Sequence, residues 1–217
     1  MGLAVATHVF ADALQDTDYP EEVDELRDQL RALNDLLLQE GISPHHEATT
    51  HGPATERDTV GSVPYSFVHY LRRAYARAHK YPDEPLTPVA EGEDPTEDGA
   101  VDSLMYMFES HLLCHSDCEG YYVPVDFDEV LFPDEELGLP GGMVGSSDGL
   151  LRELEYVAPY LGITLVDDEL SDAEIARILA EHGDDDEHPF YRERETWLLF
   201  YEAARVSVTN RTLITFC

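Results

Sequence analysis

A chain with this charge must keep almost all of its acids in water. Of 217 residues, 46 are Asp or Glu and 13 are Lys or Arg, a formal net charge of −33. Charged side chains are rarely buried unless paired, so nearly every carboxylate has to lie on the outside of whatever forms. The apolar residues, 43 % of the chain, are ample for a core beneath that shell. The length suits one compact domain spanning 1–217. A surface of this sign repels phosphate backbones and anionic lipid, so neither nucleic acid nor membrane is expected as a partner through a basic face. Two readings of the acidity follow: a solvated shell, or a surface offered to a basic protein. The acids are spread along the chain, as a solvated shell would have them.

Residues 1–26 contain no Lys or Arg, and Asp12, Asp16 and Asp18 break the first apolar stretch. No leader or membrane span is expected from that pattern. Three cysteines, an odd number, do not form a secreted disulfide framework. The expected location is the cytoplasm.

Periodicity predicts a mainly α (α+β) protein with about six helices and one to three short strands. Residues 3–14 read as a short strand or a first helix, with helix favoured. Pro20, followed by Glu21 and Glu22, opens a helix with Val23, Leu26, Leu30, Leu33 and Leu37 on one face, ended by Gly41. Residues 42–62 and 82–98 read as long loops. Residues 64–81 predict an aromatic helix carrying Arg72, Arg73, Arg77 and Lys80, the only lysine. These three arginines are the candidate anion-binding group, through guanidinium forks on phosphate or carboxylate; pairing with the chain's own acids is the simpler reading.

Asp94-Pro95-Thr96-Glu97 starts a helix with Val101, Leu104, Met105, Phe108 and Leu112 on one face. Residues 121–132 suggest a strand, with Pro124 arguing for an edge. Residues 139–145 read as a loop, after which Ser146 or Ser147 caps a helix closed by Gly162. Ser171 to Glu174 has the form of a capping box. Phe190–Val206 predicts a last helix, and Thr212–Cys217 a strand.

Chemistry concentrates in residues 111–120, HLLCHSDCEG. His111, Cys114, His115 and Cys118 stand at i, i+3, i+4 and i+7, one stripe if the helix continues. Imidazole and thiolate are zinc's preferred ligands, but one stripe cannot wrap a tetrahedron. A remaining ligand would come from His45, His46, His51 or His69. Without zinc, Cys114 and His115 simply pack in the core. The same residues fall partly into a calcium-loop register, with Asp117, Glu119 and Gly120 at its third, fifth and sixth positions and Asp126 at the twelfth. The competing reading is a turn in which Gly120 supplies positive φ. Cys118 and His115 as nucleophile and base lack an orienting group beyond Asp117.

The strings LLCHSDCEGYYVPVDF and FYRERETWLLFYEAARVSV resemble a group of uncharacterised bacterial proteins with a His-Ser-Asp-Cys-Asp/Glu-Gly turn and a late aromatic helix. The resemblance covers residues 104–217 best. It carries no activity, and it implies that His115, Asp117, Cys118 and Gly120 act as a unit. No Walker loop, nucleophile elbow or zincin helix is present. The sequence is therefore read as a non-enzymatic, immunity- or inhibitor-like protein that binds a basic partner. The alternatives are a zinc protein centred on His111–Cys118 and a small-molecule enzyme with a dispersed site.

Overall fold

The structure is a computed structural model that describes residues 2–216 apart from 17, 19, 58, 117 and 184–187. The N-terminal stretch is not one helix. It forms β1 (Gly2–Leu3) and β2 (Val5–Thr7), and only Val9–Gln15 is helical (α1). His8, at φ 62°, makes the break. The strands win because partners exist far along the chain: β1 pairs with β3 (Val63–Pro64), and β2 with β6 (Ile214–Phe216), both antiparallel. A local pattern cannot show such partners.

The long amphipathic helix is α2 (Pro20–Gln39), and the aromatic one is α3 (Ser66–Lys80). Asp98 caps α4 (Gly99–Met105) by accepting the Ala100 N–H. The predicted continuation through residue 118 does not form. The backbone N–H groups of His111 and Leu112 donate to Glu153, and that of Leu113 donates to Ser110 Oγ, so side chains take donors that a helix would use internally. After β4 (Tyr121–Val123) come β5 (Val144–Ser146), α5 (Ser147–Val157), α6 (Asp172–His182) and α7 (Tyr191–Asn210). The described residues thus hold seven helices, and the mainly α, α+β expectation stands.

The main sheet runs β2-β6-β4-β5, with β4 and β5 parallel and the other pairs antiparallel. β4 is therefore an interior strand and not an edge. Pro124 is tolerated because the strand ends one residue before it. β5 lies in the stretch read as loop; three residues are too few to show a period.

Alternation along β4 divides the core. Tyr121 and Val123 face α2 and pack with Leu33, Leu36 and Leu37. Tyr122 faces the other way, into the larger cluster around Trp197 and Phe200 of α7. α7 is buried nearly all round between α3 and α5, and Trp197 Nε1–H donates to Leu154 O at 2.8 Å. The described residues of the 42–62 segment hold no helix or strand, yet the segment is held at both ends. Asn34 bonds both backbone groups of His45, and Arg57 reaches Glu202. No described helix is long and apolar enough to cross a membrane.

Glu202 is 4 % exposed and accepts from Arg57 Nε at 3.0 Å, the Arg57 backbone N–H at 3.1 Å and Arg205 at 2.8 Å. Burial alone would raise its carboxyl; the two guanidiniums outweigh that and hold it below its ordinary range. Glu202→Ala would remove the shared carboxylate from two half-buried arginines, leaving Arg57 only Leu170 O and Asp172, and Arg205 Thr55 O. We expect it to lower the unfolding free energy by roughly 3–5 kcal/mol, as read from a urea transition.

Candidate interaction surface

The sign of the surface follows from where each charge is spent. Among the described acids few are buried: Glu193 and Glu202, with the side chain of Glu47 and the carboxyl of Glu153 also largely covered. Eight of the thirteen basic residues are buried or half-buried, while Arg27, Arg31, Lys80, Arg152 and Arg211 are exposed. Arg72 donates to the carbonyls of Leu112, His115 and Ser116. Arg73 bonds Asp98 at 3.0 Å and Thr87 O at 2.9 Å, and Arg77 bonds the same Asp98 oxygen at 3.0 Å. Burial would raise the Asp98 carboxyl, but the Ala100 N–H and the two guanidiniums keep it lowered. Arg194 donates to Leu161 O and pairs with Glu181, while Arg192 lies over the Tyr70 ring. The predicted anion-binding trio is thus committed to the chain's own carbonyls and carboxylate.

Outside, α2 carries Glu21, Glu22, Asp24, Glu25, Asp28 and Asp35 in solvent. Its two arginines pair within the helix, Arg27 with Asp24 and Arg31 with Asp28. The acids stand out because the opposite face carries the leucines that cover the sheet. Asp134–Glu136 and Asp167–Glu169 add further exposed runs.

The 111–120 segment is a knot of turns under this surface, and the helical stripe expected of it does not exist. Ser146 N–H donates to His111 Nδ1 at 3.0 Å, which leaves Nε2–H to donate to Phe127 O at 2.9 Å. Both ring nitrogens are used in the neutral form. His115 stacks on Tyr122 at 4.0 Å, with Phe216 beside both rings at 5.3 and 6.1 Å, and its Nε2 lies 3.0 Å from Tyr121 O. Cys114 is buried with Sγ 3.7 Å from Met105 O, and burial raises its thiol pKa. Cys118 and Glu119 are exposed. Asp117 lies outside the described residues. Among those residues no three His, Cys, Asp or Glu side chains converge as a metal ligand set would. Gly120 has φ 103°, and a Cβ there would come 2.9 Å from Met143 O and 3.0 Å from the His115 ring, so the turn demands glycine. Asp126, the would-be twelfth ligand, pairs with Arg152 at 2.8 Å.

Glu153 on α5 was not singled out by sequence reasoning. It receives the N–H groups of His111 and Leu112, at 2.9 and 2.7 Å, and the Ser110 hydroxyl. Burial pushes its carboxyl up to about 7 despite these donors. A signal was available: Glu153 sits on the apolar stripe of Leu150, Leu154 and Val157. It also borders an open cleft of about 630 Å3 between α3 and α5, where Tyr75, His79 and Tyr156 meet Glu109, Asp128 and Glu129. The carboxylates of this cleft come from three separate segments, and no spacing in the chain joins them.

A family model described as "Putative DNA-mimic protein" matches residues 1–216. No curated protein and no solved structure matches the chain.

Two expectations follow from the knot. A Cβ on Gly149 would fall 2.0 Å from His111 Cδ2, a ring fixed at both nitrogens, so Gly149→Ala should cost about 1–3 kcal/mol in a urea transition. His111 and His115 are both held down at about 4, burial being the main cause, against an ordinary 6.5. The stability they confer is whole above pH 6.5 and is lost as pH falls towards 4. Glu153 and Glu193, raised to about 7 by burial, act oppositely: they favour the fold at low pH and oppose it as pH climbs from 4.5 through 7. To isolate one histidine, urea midpoints of wild type and His115→Phe are compared from pH 7 to pH 4. The wild-type advantage should shrink by up to roughly 1.4 kcal/mol per pH unit as pH falls below 6.5.

Proposed function

The chain belongs to the "Putative DNA-mimic protein" family, and on that premise we propose that it works by presenting carboxylates where a DNA-binding protein expects phosphates. The observation that carries this is the division of charge: eight of the thirteen basic residues are buried or half-buried on the chain's own groups, and the acids of α2 face out from a regular helix. α2 is the best single stretch. Its 20 residues span about 30 Å, the length of about nine base pairs at 3.4 Å each. Carboxylates three or four residues apart on one helix stand about 5–6 Å from each other, close enough to meet successive Lys or Arg side chains of a groove built for a phosphate backbone. The rigidity matters: a basic surface made for a stiff duplex gains little from acids on mobile tails, which would have to be ordered on binding.

This reading keeps the partner class, a basic DNA-binding protein, and asks for no catalysis and no metal. Steering by the net field would make association fast and salt-sensitive.

The test is competition. Purified DNA-binding proteins of several architectures are each loaded with a fluorescent duplex and titrated with this protein. We expect displacement from at least one, weakening steeply between about 50 and about 200 mM salt. The quadruple variant Glu21→Gln, Glu22→Gln, Glu25→Gln, Asp35→Asn, all on the solvent face, should compete at least tenfold less well. Duplex retained on every member of the panel at low salt, or a quadruple variant as effective as wild type, would sink the reading.

A further inference from the structure

The cleft between α3 and α5 has features that a generic acidic surface lacks. Three rings border it at nearly equal separations: Tyr75 to His79 6.0 Å, Tyr75 to Tyr156 6.0 Å, His79 to Tyr156 6.1 Å. Their planes are inclined to one another by 39°, 76° and 57°, so they form a corner and not a stack. The same cleft is lined by Glu109, Asp128 and Glu129, all solvent-facing, and by Glu153. The one guanidinium at the rim, Arg152, points its charge at Asp126, 2.8 Å away, outside this ring of acids. The cleft therefore brings an aromatic corner and four carboxylates together.

Resting on the reading of the protein as a DNA mimic, we propose that this cleft is the receptor for a single arginine side chain of the basic partner protein. A guanidinium is flat and weakly hydrated, lies over aromatic faces and reaches carboxylates through a fork of N–H donors. Rings and acids lining one cleft meet both of its needs at once. A divalent cation would instead want oxygen on every side, and the ring wall denies it that. Lysine gains less, since its compact, strongly hydrated ammonium must shed water to approach the rings. The arrangement also suits the parent function. Arginine is the residue that DNA-binding proteins use most to read guanine edges and grip phosphate, so a pocket that sequesters one such side chain gives specificity that a diffuse acidic surface cannot.

The probe is a short blocked peptide, acetyl-Gly-Arg-Gly-amide, with lysine and citrulline versions beside it. Each is titrated into the full-length protein at fixed pH and followed by NMR. The arginine peptide should saturate in the millimolar range and shift the resonances of Tyr156 and Glu153. The lysine peptide should bind several-fold more weakly and the citrulline peptide not at all. Tyr156→Leu, at a position 40 % exposed and so tolerant of change, should weaken the arginine peptide by about 3- to 30-fold. The double variant Asp128→Asn, Glu129→Gln, on an exposed loop, should weaken it similarly and guards against a local packing effect. The inference falls if no peptide saturates, if lysine matches arginine, if neither variant weakens binding, or if free spermidine shifts the cleft where the peptide does not. The two ideas separate cleanly. Peptide binding without duplex displacement in the competition assay keeps the arginine cleft and removes the DNA-mimic reading. Displacement without peptide binding does the reverse.

Discussion

The fold hangs on arginines set beneath the surface. In a protein with a net charge of −33, each guanidinium is scarce, and the structure places the best-buried ones where two distant segments must meet. Arg72 gathers three consecutive-turn carbonyls and so fastens the 112–116 turn to α3. Arg73 and Arg77 converge on Asp98, which is also the cap of α4, and thereby fix the 82–98 connection. Arg57 and Arg205 meet on Glu202 and hold the 42–62 connection on α7. Two long segments, whose described residues hold no more than the 3-10 turn at Pro95–Glu97, are thus tied down by charge-assisted hydrogen bonds, the strong kind, in half-buried settings where salt screens them little.

That use of the cations decides the outside. Once the guanidiniums are turned inward, the outer face of α2 and the exposed loops carry an excess of carboxylates with few compensating charges. The core beneath does not depend on them: α2 is held by leucines on the sheet, and α7 by aromatic packing against α3 and α5. Self-repulsion among the outer acids is a standing cost, diffuse and salt-screened, while the stabilising contacts are local and dry. The knot at Glu153 follows the same rule on a smaller scale. One carboxylate takes two backbone N–H groups and a hydroxyl, which bends the chain out of a helix and lays His111 against the start of α5.

Much of the architecture was legible in the chain. The leucine spacing of α2, the cap at Ser146, the capping box at Ser171, where the hydroxyl accepts the Glu174 N–H, and the turn at Gly120 are local signals with local physics. The misreadings share one cause, a partner far along the chain. β1 and β2 exist because β3 and β6 come to them, β5 because β4 lies beside it, and the helix after Met105 is not resumed because Phe108 turns to φ 56° and Glu153 takes the N–H groups of His111 and Leu112. The stripe of His111, Cys114, His115 and Cys118 was an artefact of that missing stop. Once the helix ends at Met105, the four side chains go to separate places: two rings into neutral hydrogen-bonded niches, one thiol into the core and one into solvent. The α3–α5 cleft was out of reach for the opposite reason. Its acids and rings are each unremarkable in sequence, and only the packing of α3 against α5 assembles them.

Fold and function draw on different carboxylates. Asp98, Glu174 and Glu202 are held below the ordinary range, each bonded to arginine and each fixing a junction. The acids of the α2 outer face have no such tertiary duty, since the only guanidiniums near them belong to the same helix. A surface built this way can be re-patterned to suit a basic partner while its tertiary contacts stay intact, because changing an outer acid removes repulsion and breaks no pin. Evolution of the binding face is then limited by charge geometry alone. The cleft is where that freedom ends, because Glu153 borders it and at the same time holds the 110–112 turn, so a change there must satisfy a partner and the fold together.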